Sequence, residues 1–159
     1  MRTRAASFGD FRCTHCQVSV SSTHIISGVN NRNHCPYCLW SCHLDLFAAG
    51  DRLSACKAPM KPIGLTVKQG KNKYQHELPG ELMLIHECME CKTLSINRIA
   101  ADDDSATLMV IFQESLRLGH QLHKICQENG ISLLSIRDTE LVHTQLYGRS
   151  SEISGLRWR

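Results

Sequence analysis

The chain has 159 residues, 42% hydrophobic and only 6% aromatic, which suits one modest core or a core with an appendage. Its 18 Lys+Arg against 15 Asp+Glu leave a net charge of +3, too little by itself to mark a nucleic-acid binder. The nine cysteines are an odd number, so they cannot all pair within one chain.

Met1–Arg12 carries three arginines and no apolar run, so it does not read as a signal peptide. No apolar run approaches the roughly 20 residues that cross a bilayer, so no membrane association is expected. A cytoplasmic protein is expected, in which thiols stay reduced and clustered cysteines hold metal.

Residues 1–10 read as a tail. From Phe11 to about Asn97 the pattern is one of short strands and turns. Val18 and Val20 alternate with serine, Ile25-Ile26 precede a turn at Gly28, and Leu65-Thr66-Val67 leads to a turn at Gln69-Gly70-Lys71-Asn72. Glu81–His86 reads as a strand that delivers Cys88, and Pro36, Pro59, Pro62 and Pro79 argue against long helices in this half.

Asp102-Asp103-Asp104-Ser105 is a helix start, because Asp and Ser cap free amides and acidic groups suit the positive dipole end. Leu108, Ile111, Phe112, Leu118, Leu122 and Ile125 follow at mostly three-to-four spacing, and Asn129-Gly130 is a stop. Beyond it, Ile131–Ile136 reads as a strand and Asp138–Leu146 as a short helix capped by Asp138. Gly148–Arg159 reads as a flexible basic tail. The expected class is α+β: a small irregular β domain, then a C-terminal amphipathic helix and a short helical or strand extension.

Cys13-x2-Cys16 and Cys35-x2-Cys38 are separated by eighteen residues, the spacing of a four-thiolate zinc site. A two-residue gap forms a tight turn that points both sulfurs at one ion, and two such knuckles complete a tetrahedron. Four protein ligands leave no open position, so such a site builds structure.

A third pair, Cys88-x2-Cys91, needs two more ligands, with Cys42, Cys56, His34, His43 and His86 as candidates. Cys42 and His43 are neighbours and would rarely face one ion together. His43 and Cys56 are separated by twelve residues containing a Gly50-Asp51-Arg52 turn, enough loop to bring both to one point. The favoured second site is His43, Cys56, Cys88 and Cys91, with Cys42 or His34 as the alternative to His43. His120, His123 and Cys126 recur at helical spacing but lack a fourth ligand.

Charge is uneven: residues 1–76 hold ten Lys+Arg against three Asp+Glu, and the remainder is net acidic. Arg32, Arg52, Lys57, Lys61, Lys68, Lys71 and Lys73 form the best candidate surface for RNA or a ribonucleoprotein, since cations neutralise phosphates. Arg32 has an alternative use, pairing with Asp51 or with Asp102–Asp104. Tyr37 and Trp40 read as packing over the second knuckle.

Two other functions compete. His43-x-Asp45 between cysteine pairs faintly resembles HNH-type nucleases, in which a His activates water beside a metal ion. The 108–125 helix stripe would serve a protein–protein adaptor.

Asn31-Arg32-Asn33-His34-Cys35-Pro36-Tyr37-Cys38-Leu39-Trp40-Ser41 resembles the signature of the RNHCP-domain family, a bacterial family named for the tract at Arg32–Pro36. The likeness continues through His43-x-Asp45, Gly50-Asp51-Arg52, Cys56 and Met60-x-Pro62-Ile63-Gly64. It ends with Cys88-x2-Cys91 and Asn97-Arg98-Ile99-Ala100-Ala101-Asp102-Asp103. The resemblance covers roughly residues 11–103, followed by a helical extension over 104–147 and a tail over 148–159. It implies a zinc ribbon with two zinc ions per chain, supports His43 and Cys56 as ligands, and carries no activity with it. One departure is Lys92, where the family tends to have Gly. A four-thiolate zinc carries −2 and a three-thiolate, one-His zinc −1. The loaded chain would therefore be near neutral, and only the uneven placement of Lys and Arg favours nucleic acid.

Overall fold

The computed structural model describes residues 9–69 and 80–148. Two short strands, β1 (Phe11–Arg12) and β2 (Ser19–Val20), pair antiparallel around the first knuckle. A single helical turn, α1 (His24–Ser27), follows and ends at Gly28, whose φ of 68° is the left-handed stop that glycine adopts without a Cβ clash. Ile25-Ile26 is thus helical and not extended; Ile25 is 92% exposed, so no sheet partner holds it in a strand.

Strands β3 (Ser41–Cys42), β4 (Pro59–Lys68), β5 (Glu81–Cys88) and β6 (Leu94–Arg98) form an antiparallel sheet in that order. β4 tolerates Pro62 because the register shifts between Pro62 and Gly64; at a bulge the missing N–H breaks no regular ladder bond. The expected turn at Gly70–Asn72, with Lys71, Lys73 and Tyr74, lies outside the described residues.

The long helix α2 (Ser105–Glu128) begins where the acidic run predicts: Asp104 is its N-cap and accepts the Thr107 amide. Leu108, Ile111, Phe112 and Leu122 are buried. Leu108, Ile111 and Phe112 join Leu39, Leu65, Leu82 and Leu84 in one cluster. Leu122 and Cys126 join Ile63, Ile85 and Leu133 in a second. At ~1.5–3 kcal/mol for each fully buried large apolar side chain, this face accounts for the helix docking on the sheet. Leu118, an expected stripe member, is 60% exposed. It adjoins Gly119, whose φ of 57° and ψ of −139° break the helix and turn the stripe's register there.

Residues 131–135 carry no strand, although they run beside β4. The Leu134 amide donates to the Leu65 carbonyl, and the Thr66 hydroxyl donates to Ser132 O. With Leu133 and Leu134 both buried, side chains enter the core without the alternation that a ladder requires. Ser135 and Asp138 then cap a 3-10 turn (Ile136–Asp138) reciprocally, and α3 (Thr139–Tyr147) follows. The Asp138 side chain serves that turn and does not cap α3. No helix among the described residues is long and apolar enough to cross a membrane.

Candidate metal centres and the basic surface

All three Cys-x2-Cys knuckles have the same local build. The amides of Gln17, Leu39 and Lys92 donate back to the carbonyls of Cys13, Cys35 and Cys88. The amides of those same three cysteines donate forward to Val18, Trp40 and Thr93. In each, the residue after the second cysteine is left-handed, with φ of 66°, 62° and 62°. That is where glycine costs least, which gives a physical reason for the family's glycine at position 92. Lys92 pairs with Glu87 at 3.4 Å from this position.

The first two knuckles face each other. Cys13 Sγ lies 3.5 Å from Cys38 Sγ, and Cys16 Sγ lies 3.6 Å from Cys35 Sγ. A tetrahedron with zinc–sulfur bonds near ~2.3 Å has sulfur–sulfur edges near ~3.8 Å, whereas a disulfide is closed at ~2.05 Å. These spacings fit shared coordination and not oxidation.

The third knuckle is met by a loop. The β3–β4 ladder continues outward through His43 N–H to Ala58 O and Lys57 N–H to His43 O, which sets His43 opposite the segment carrying Cys56. Between them the Asp51 carboxylate accepts the amides of Leu46, Phe47, Ala48 and Leu53, and Asp45 accepts those of Gly50 and Arg52. Cys56 Sγ lies 3.6 Å from Cys88 Sγ, and His43 Nδ1 lies 3.3 Å from Cys91 Sγ. In each foursome the donor atoms all lie within 4.8 Å of one another, and these are the two such groups among the described residues. Both donor sets, four thiolates and three thiolates with an imidazole, suit zinc in a closed structural site.

The two centres differ in environment. Burial pushes the Cys35 and Cys38 thiols up, while the Val18 amide leads in drawing Cys16 down. In the second centre Cys56 and Cys91 are exposed and Cys88 is buried. The hydroxyl and amide of Thr93 pull Cys91 down to about 6, which favours the thiolate that a metal needs.

The competing ligands are engaged elsewhere. His34 Nε2 lies 2.7 Å from Asp103 Oδ2. His86 Nε2 donates to the Leu39 carbonyl while its Nδ1 accepts from Asn97, and burial pushes it down to about 3. Cys42 Sγ donates to Lys57 O. His120 and His123 are exposed whereas Cys126 is buried in the core, so those three do not converge. The HNH-like pair is also dispersed: His43 sits in the second foursome, and Asp45 is spent on two amides, the Asn33 side chain and Arg52.

The candidate basic residues separate. Arg32 is buried, with a fully covered guanidinium: it donates to Asp102 at 2.7 and 2.9 Å, to His34 O and to Ser21 O, and touches Asp103 at 3.4 Å. This corrects its placement on a nucleic-acid surface, since a side chain so enclosed presents nothing to a phosphate. Arg52 is mostly covered, bonded to the Asn33 side chain and 3.6 Å from Asp45. Lys57, Lys61 and Lys68 are exposed; Lys71 and Lys73 lie outside the described residues. The stripe at 108–125 is largely covered by the chain's own sheet, with Leu118 its exposed member. Trp40 stacks on His15 with centroids 4.1 Å apart and planes 5° from parallel, and Tyr37 is 60% exposed.

The sequence offers Arg32 pairing with Asp102–Asp104 as one alternative, but His34 joining Asp103 is not among its readings. In the structure the Arg32–Asp102–Asp103–His34 lock joins the acidic turn to the Arg32–Pro36 tract, reinforced by Asp104 N–H to Pro36 O and Ala101 N–H to Ser27 O. The pairing of an arginine and a histidine early with two aspartates late was the available signal.

Residues 8–109 match the family model described as the RNHCP domain. No curated protein and no solved structure matches the chain. The match takes in both knuckle foursomes and the acidic turn that locks them, so this chain belongs to the RNHCP-domain family.

Proposed function

We propose that the chain is a non-enzymatic module which holds two zinc ions as structural centres and binds RNA or a ribonucleoprotein through its basic half. The observation that carries the metal reading is the pair of four-donor clusters, each converging within 4.8 Å. Four protein donors leave no open coordination position for a substrate or an activated water. Lys57, Lys61 and Lys68, all exposed, support the nucleic-acid reading, because solvated ammonium groups neutralise phosphates without first breaking a buried contact.

The test is an electrophoretic shift with single-stranded RNA across a salt series. Three phosphate contacts correspond to a slope of about −2 in log affinity against log salt. Replacing Lys57, Lys61 and Lys68 together by Ala removes their share of about 2 from the measured slope on this reading. No shift at low salt with zinc-loaded protein defeats the RNA proposal and leaves the metal centres standing.

A further inference from the structure

Between the first knuckle and β3 lies a cleft of about 310 Å³. Ligand sites span ~300–1,000 Å³, so this one has room for a single base-and-sugar unit. Its walls are mostly apolar, with Phe11, Trp40 and Leu44 among them, and buried Arg32, Asn33 and Ser41 also line it. The parallel stack on His15 holds Trp40 in place beside the cleft.

Charge is arranged around it. Arg32 is matched by Asp102 and Asp103, and Arg52, also lining the cleft, by Asp45. Arg12 is exposed, and among the described residues its Nε alone is engaged, by the Gln17 carbonyl at 2.8 Å. It has no acidic partner among the described residues. Lys57 is close by, because its carbonyl accepts from Cys42, which also lines the cleft. A ring-sized apolar slot with uncompensated cations at its border matches a planar base that carries a phosphate.

We infer that this cleft takes one nucleotide of single-stranded RNA, its base against Trp40 and Phe11 and its phosphate towards Arg12 and Lys57. The inference rests on the RNA-binding reading above and adds where a base is seated. Stacking on an aromatic platform tolerates any base, so the slot gives grip along a strand with little sequence readout.

The experiment uses the full chain carrying Trp158→Phe, which leaves Trp40 as the sole tryptophan. Zinc loading is checked by native mass spectrometry. Emission is followed while a ten-residue oligoadenylate is added, and separately AMP. Saturable quenching of Trp40 by the oligonucleotide, with AMP much weaker, is the expected result. Arg12→Ala should weaken binding and lower the salt slope by about 1, without altering zinc content. Trp40→Leu should cost roughly 5- to 100-fold in affinity.

RNA binding by gel shift with unchanged Trp40 emission, and no effect of Arg12→Ala, overturns the cleft while leaving the lysine surface intact. AMP binding as tightly as the oligonucleotide overturns the assignment to RNA in favour of a free nucleotide. Failure of every RNA to bind overturns both readings.

Discussion

Arg32→Ala separates a structural arginine from a binding one. In the parent, the fully covered guanidinium bridges Asp102 and Asp103 and satisfies the carbonyls of Ser21 and His34. Truncation leaves the Asp103 carboxylate, itself fully covered, with His34 and the Ala100 amide alone. Removing one member of a buried ion pair costs ~3–5 kcal/mol. Asp102 recovers some solvation because 29% of its side chain is exposed, so the lower end of that range applies. A chain of this size loses ~2–4 °C of melting temperature per kcal/mol, which gives a fall of roughly 6–12 °C. The assay is thermal unfolding at matched zinc content, with Asp102→Asn as the milder comparison, at ~1 kcal/mol for a weakened but still occupied contact. If Arg32→Ala melts within a degree of the parent while RNA affinity drops, the buried-lock reasoning is refuted and Arg32 is an interface residue.

Gly119→Ala should destabilise by ~1–3 kcal/mol in urea unfolding, because φ 57° and ψ −139° lie in a region open essentially to glycine; a gain of ~1 kcal/mol, as helix propensity alone gives, would mean α2 runs unbroken. Gly80→Ala places a Cβ 2.4 Å from Val67 Cγ1 and 2.6 Å from the Lys68 carbonyl oxygen, and overpacking against backbone costs ~1–3 kcal/mol; wild-type stability would show that the two strands are not this close. Zinc release to a chromophoric chelator should be biphasic, with the fast phase from the centre whose Cys56 and Cys91 are exposed. His43→Ala should remove that phase and one zinc; loss of the slow phase instead would contradict the assignment.

The elements legible in the sequence are those whose signal is local. A two-residue cysteine gap is a complete turn, and the donor and acceptor pairs that close each knuckle lie four or five residues apart. Helix α2 announces itself through an N-cap and a stripe within its own length. The second centre needed more, because His43 and Cys56 meet Cys88 only through the β4–β5 register and a loop wound on two aspartates. Arg32 is ambiguous in the sequence because its partner lies seventy residues on, and no periodicity links the two. Residues 131–135 have strand composition, yet they meet β4 through one backbone bond and the Thr66 hydroxyl and not through a ladder. The break at Gly119 is invisible to spacing, since a lone glycine within a helical pattern reads equally well as a tolerated cost.

Native mass spectrometry of the purified chain tests the central claim most directly, because it counts bound ions without assuming which residues hold them. Two closed centres predict two zinc ions per chain in the parent and one in His43→Ala, with the first centre retained. A parent chain carrying no zinc, or cysteines found oxidised in pairs at the 3.5 and 3.6 Å contacts, would contradict the account.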